Sequence, residues 1–62
     1  MSNEKNLWWG YKHTSGTLQA KRYWDERDIE EALESPFVEQ VVRPFGANDR
    51  DEALKHIEEQ TR

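Results

Sequence analysis

The chain has 62 residues, of which 35% are charged, and its formal net charge at pH 7 is −4. This length allows one domain at most, near the lower limit for folding without a disulfide or a metal. Cysteine is absent, which excludes disulfides and thiolate zinc sites, and no apolar run resembles a secretory signal or a membrane span. We therefore expect a single small cytoplasmic domain over residues 1–62, frayed at residues 1–5 and 60–62, with no membrane contact.

The composition predicts a folded domain of low stability. Leu, Ile, Val and Phe together number only 11, about 18% of the chain, a fraction at which disorder has to be considered. Three tryptophans and two tyrosines supply large surfaces for burial instead. Charge is polarised along the chain, with a net +3 over residues 1–24 and a net −7 over residues 25–62.

All the tryptophans and tyrosines lie in LWWGYKHTSGTLQAKRYW, residues 7–24. Ser15 and Gly16 separate two β-favouring runs, which predicts a hairpin with a two-residue loop. In that register Trp8 faces Tyr23 across the strands. Because side chains alternate along a strand, the hairpin is expected to have one inner and one open face.

A first helix is predicted over DERDIEEALES, residues 25–35. Asp25 is a suitable N-cap, and Pro36 prevents the helix from continuing. Its apolar stripe is expected to consist of Ile29, Ala32 and Leu33.

The rest of the sequence, residues 37–62, predicts a third strand and a second helix. FVEQVVRPF, residues 37–45, is rich in β-favouring residues in its latter part, and Pro44 places this strand at a sheet edge. Gly46 and Ala47 are expected to form a turn. Asn48 is the predicted N-cap of a helix whose apolar face is Ala53, Leu54 and Ile57.

The order ββαβα indicates an α+β domain. We expect a three-stranded antiparallel sheet in the order 2-1-3, with two helices packed on one face and a right-handed crossover between strands two and three. The expected core consists of Leu7, Trp9, Tyr11, Leu18, Ala20, Trp24, Ile29, Leu33, Val41, Phe45, Leu54 and Ile57.

The open hairpin face is the candidate binding surface. Its members combine aromatic, basic and polar side chains: Trp8, Lys12, Gln19, Lys21 and Tyr23. The two aromatic rings would stack bases or sugars while the lysines meet phosphates. The alternative is structural, since a cross-strand Trp–Tyr pair stabilises a short sheet without any ligand. The chain also lacks the basic excess that is typical of nucleic-acid-binding proteins.

Catalytic and metal-binding patterns are weak. His13 and Ser15 sit at the predicted turn, but no third residue of a triad is fixed by the sequence. Glu52 and His56 lie four residues apart, as in an ordinary helical surface pair. The acidic residues of the first helix are expected to form a solvated face or a docking surface for a basic partner. We expect no enzymatic activity, no cofactor and no metal.

WWGYKHTSGTLQAKRYW and SPFVEQVVRPFGANDRDEAL together resemble short uncharacterised proteins of bacterial and phage or prophage genomes. That resemblance implies no known activity. The sequence therefore predicts a small accessory or regulatory protein that acts through contacts with an unidentified protein partner, as a monomer or a weak homodimer. The alternative is a weak binder of single-stranded nucleic acid through the same hairpin face.

Overall fold

The computed structural model describes residues 6–62, which form one antiparallel sheet and two helices. The elements in chain order are β1 (Asn6–His13), β2 (Leu18–Arg22), α1 (Glu26–Glu34), β3 (Val38–Ala47) and α2 (Arg50–Gln60). The strand order is β2-β1-β3, and both pairings are antiparallel. The predicted α+β class, element order and central first strand are confirmed. The expected fraying of residues 1–5 lies outside the described residues.

The hairpin loop has three residues, 14–16, where the sequence predicted two. The His13 N–H donates to the Thr17 carbonyl at 2.7 Å, and the Gly16 N–H donates to the His13 carbonyl at 2.8 Å. Gly16 has φ +97°, as expected of a type I turn that is followed by a left-handed glycine. A two-residue type I′ loop would also require positive φ at Ser15, and no described residue other than glycine has it.

The longer loop shifts the strand register by one residue. Trp8 pairs with Arg22 and Gly10 with Ala20, so the expected pairing of Trp8 with Tyr23 is wrong. Since side chains alternate, the shift exchanges the faces of every β2 side chain relative to β1.

The two helices cover opposite faces of the sheet, and the expectation that both pack on one face is wrong. One cluster joins Trp8 and Ala20 to Ile57 of α2, and another joins Trp9 to Ile29 of α1. Trp8 and Trp9 are consecutive in a strand, so their side chains point to opposite sides. Each side therefore carries an apolar surface that needs its own helix.

Helix α1 begins and ends where the sequence predicted. The Asp25 side chain accepts a hydrogen bond from the Arg27 N–H at 3.0 Å, and Ser35 is the C-cap. Ile29 and Ala32 are buried, but Leu33 is 57% exposed. The prediction for Leu33 fails because α1 packs chiefly on the edge strand β3, which covers a narrow stripe of the helix.

Strand β3 is longer than predicted, and it is an edge strand, as expected from Pro44. Residues 43 and 44 together oppose Trp9, which forms a bulge. Gly46 and Ala47 continue the strand, so no turn occurs there.

The N-cap of α2 is Asp49, so the prediction of Asn48 is wrong by one residue. The Asp49 carboxylate accepts the Glu52 N–H at 2.9 Å, while Glu52 accepts the Asn48 N–H at 2.8 Å. This is a variant of the capping box, displaced by one position. At the other end of the helix, the buried Thr61 donates its hydroxyl hydrogen to the Ile57 carbonyl at 2.8 Å.

The core is built largely from small side chains. The buried apolar residues are Trp9, Ala20, Ile29, Ala32, Val42, Ala47, Ala53 and Ile57. Leu7, Trp24 and Leu33 were expected in the core, but they are 49%, 76% and 57% exposed. Gly10 is buried beneath α2, where a Cβ atom would collide with the Ile57 side chain and the Gln19 carbonyl oxygen.

Candidate functional site

The five residues predicted as one binding face lie on two faces of the sheet. Trp8 and Lys12 share the α2 side with Ala20, whereas Gln19 and Lys21 lie on the α1 side. Tyr23 also packs on the α1 side, against the cluster around Trp9. The register shift separates these residues, so they do not form the continuous surface that the sequence predicted. The involvement of any one of them in binding stays a prediction.

A different aromatic–basic cluster results from the observed register. The Arg22 guanidinium lies 5.6 Å from the Trp8 ring centroid and 5.3 Å from the Trp24 ring centroid, both within cation–π range. We call Trp8, Arg22 and Trp24 the tryptophan–arginine stack. Trp8 is half-buried against the α2 cluster, so it anchors the inner end of the stack. Trp24 forms the outer end and is 76% exposed.

The charge of Arg22 is not neutralised within the described part of the chain. Among residues 6–62, Arg43 forms an ion pair with Glu26 at 3.1 Å, whereas Arg22 forms no ion pair with a carboxylate. Two indole rings instead hold the guanidinium, whose planar set of N–H donors suits carboxylate or phosphate. The stack therefore combines a positioned cation with a large exposed apolar ring.

The sequence prediction missed the stack because its register, with Trp8 opposite Tyr23, puts Arg22 and Trp24 on the other face of the sheet from Trp8. The loop contained the relevant signal. Serine seldom adopts the positive φ that a two-residue type I′ loop demands, and Thr14 can complete a three-residue loop.

The α1 side carries an open groove of about 270 Å³ between the helix and the strands. Its volume is near the lower end for small-molecule sites. The Lys21 ammonium lies 5.9 Å from the Tyr11 ring centroid on one wall, and Asp28 and Glu31 line the helix wall. Trp9 also lines the groove, and its buried Nε1 has no hydrogen-bond partner among residues 6–62. The groove is large enough for one side chain of a bound molecule.

Tyr23 is engaged with the start of α1. Its hydroxyl donates to a Glu26 carboxylate oxygen at 3.5 Å. Desolvation by nearby protein atoms, followed by the negative charges of Glu26 and Asp25, raises the pKa of Tyr23 above its usual value. The phenol consequently remains protonated near neutral pH and is a poor candidate for a general base.

The hairpin tip brings His13 and Ser15 together, but in turn geometry. The Ser15 N–H and hydroxyl lie 3.2 and 3.1 Å from His13 Nδ1. The ring of His13 stacks on Phe37 with centroids 6.1 Å apart. No carboxylate in residues 6–62 contacts the imidazole. A nucleophilic triad needs such an orienting group, so this contact is turn chemistry.

Glu52 and His56 have separate structural roles. Glu52 accepts hydrogen bonds at the start of α2, and His56 stacks on Phe45 with ring centroids 4.1 Å apart. Across the described residues, no group of three or more His, Cys, Asp or Glu side chains is arranged to hold a metal ion.

Neither helix in residues 6–62 combines the length and the apolar character needed to cross a membrane. The chain matches no family model, no curated protein and no solved structure. The functional proposal therefore depends on the surface chemistry of the chain itself.

Proposed function

We propose that this protein is a non-enzymatic accessory or regulatory protein that binds a protein partner through the tryptophan–arginine stack. The observation that carries the proposal is the 76% exposure of Trp24, whose ring lies against an arginine without a described carboxylate partner. Tryptophan and arginine are among the residues that contribute most strongly to protein–protein interfaces.

The energetics support an interface at Trp24. Burying the exposed part of a tryptophan contributes about 3 kcal/mol at ordinary transfer values. Because Trp24 stays exposed in the folded chain, folding alone does not gain this burial free energy. A partner that covers Trp24 with an apolar surface and offers a carboxylate to Arg22 would use both groups.

The same stack also supports the alternative function, binding of single-stranded nucleic acid. An exposed indole stacks on any base, and an arginine beside it contacts phosphate. The net charge of −4 disfavours long-range attraction of a polyanion. We therefore place nucleic acid second.

Affinity capture with matched variants tests the proposed function. The tagged protein is incubated with a lysate of the cells that encode it, alongside Trp24→Ala and Phe37→Ala variants. Phe37 is a suitable control because it is 62% exposed and stacks on His13 at the hairpin tip. A specific partner is expected with the wild type and Phe37→Ala but not with Trp24→Ala. Equal capture by all three proteins would refute the proposed surface.

A titration separates the two candidate functions. Short mixed-sequence single-stranded DNA is added at low salt while tryptophan fluorescence is followed. If the protein binds a protein partner and not nucleic acid, the DNA should cause no saturable quenching of tryptophan fluorescence. Quenching that is lost in Trp24→Ala and weakens steeply with salt would instead favour nucleic acid.

A further inference from the structure

Within residues 6–62, strand β2 pairs with β1 alone, so its other edge, next to the tryptophan–arginine stack, has no partner strand there. The Tyr23 N–H donates to the Leu7 carbonyl at 2.9 Å, and the His13 N–H donates to the Thr17 carbonyl at 2.7 Å. In an antiparallel pair, residues that bond to the neighbour alternate with residues that face away. The residues of β2 that direct their N–H and C=O groups outward are therefore Leu18, Ala20 and Arg22.

The other edge of the sheet is protected against strand addition. Strand β3 has two register irregularities against β1, and Pro44 cannot donate a hydrogen bond. Strand β2 pairs with β1 in continuous register and contains no proline. The backbone of β2 is accordingly the edge better suited to receive another strand.

The charges of β2 indicate what kind of strand fits. Its charged side chains are Lys21 and Arg22, which point to opposite faces, and neither forms an ion pair within residues 6–62. Pairing β2 with β2 of a second copy would bring four cations to one seam, which disfavours self-association. An extended segment with two adjacent acidic residues would place one carboxylate on each face.

We propose that the partner contributes an extended acidic segment, which adds to β2 as a fourth strand. This inference rests on the proposed function and names the chemistry of the partner. The outward backbone groups of Leu18, Ala20 and Arg22 supply hydrogen bonds, as in other cases of strand addition. One carboxylate pairs with Lys21 and the next with Arg22, while Trp24 covers the end of the added segment.

A designed peptide tests the added strand directly. The probe is the capped peptide Thr-Val-Glu-Glu-Val-Thr, and the control is Thr-Val-Lys-Lys-Val-Thr. Amide hydrogen exchange of the labelled protein is followed by NMR with each peptide. The acidic peptide is expected to slow exchange at Leu18, Ala20 and Arg22, and the basic peptide is not. Unchanged exchange at these amides, or equal effects of both peptides, would overturn the inference.

Two variants separate the contribution of charge from that of the backbone edge. Arg22→Glu is expected to weaken binding of the acidic peptide about tenfold or more. Arg50→Glu makes the same charge change at an exposed position of α2 and is expected to leave binding within about twofold. Leu18→Pro removes one outward N–H without removing a bond to β1, so it should also weaken binding. Unaltered affinity in Leu18→Pro, with its circular dichroism spectrum intact, would refute strand pairing.

The failure of this inference is distinguishable from failure of the proposed function. A captured partner that depends on Trp24 but not on Leu18 would leave protein binding intact and exclude strand addition. Sedimentation measurements test whether a second copy of the chain binds the β2 edge. Self-association that is lost in Leu18→Pro would show that a second copy occupies the edge, and it would overturn the acidic-partner proposal.

Discussion

Replacing Gly10 by alanine is expected to destabilise the fold by about 3 kcal/mol. The new Cβ atom would collide with the Ile57 side chain and with the Gln19 carbonyl oxygen, which belongs to the backbone and cannot move independently. Overpacking of this kind costs about 1–3 kcal/mol, and lifting α2 would also expose part of the fully buried Ile57. The gain from a less flexible unfolded chain, at most about 1 kcal/mol, is too small to offset this.

Urea unfolding followed by tryptophan fluorescence measures the change. A domain of this size has a total stability of about 3–9 kcal/mol. A loss of about 3 kcal/mol would leave Gly10→Ala partly unfolded without denaturant at the lower end of that range, and would lower its urea midpoint strongly at the upper end. Ile57→Val removes the Cδ1 atom that meets the new methyl group. In the Gly10→Ala background this second change should cost less than it does alone, or even stabilise. A stability of Gly10→Ala within about 0.5 kcal/mol of the wild type would refute the reasoning on α2 packing.

Three further predictions concern the loop, the second helix and the tryptophans. Gly16→Ala should cost about 1 kcal/mol through its positive φ alone, since no atom lies within 4 Å of the added methyl group. Asp49→Ala should cost about 1 kcal/mol and Asn48→Ala less; thermal melts showing the reverse order would contradict the assigned N-cap. Trp24→Ala should change the free energy of unfolding by less than about 0.5 kcal/mol, and Trp9→Ala by at least about 3 kcal/mol. Similar losses in these two variants would contradict the placement of Trp24 outside the core.

The bounds of α1 and the edge position of β3 were predictable because local chemistry determines them. Asp25 caps α1 through its own side chain, and Pro36 lies just beyond the C-cap Ser35. Pro44 lacks an N–H and therefore marks a strand that is not paired on both sides. Each of these signals acts within a few residues of the position that it determines.

The strand register and the binding surface were harder to predict than the bounds of α1, because both depend on whether a single residue belongs to the hairpin loop. Adding Thr14 to the loop moves every residue of β2 to the opposite face relative to β1. Arg22 thereby joins Trp8, and Lys21 joins Tyr11. The positions of the helices also required long-range information, since either of two faces could accept either helix.

The exposure of Trp24 could not be deduced from its hydrophobicity. It follows the last residues of β2 and belongs to neither core cluster of residues 6–62, and its ring lies against the Arg22 guanidinium. Hydrophobicity scales rank such a side chain as core. Its location at the end of an edge strand leaves it exposed instead.

The strand register is the claim on which the tryptophan–arginine stack depends, and NMR tests it most directly. Residues that directly oppose each other without mutual backbone hydrogen bonds bring their Hα atoms close together. We predict strong nuclear Overhauser effects between the Hα atoms of Trp8 and Arg22, and between those of Gly10 and Ala20. Strong Hα contacts from Trp9 to Arg22 and from Tyr11 to Ala20, which are the non-hydrogen-bonded pairs when the loop has two residues, would contradict the observed register and remove Arg22 from the stack.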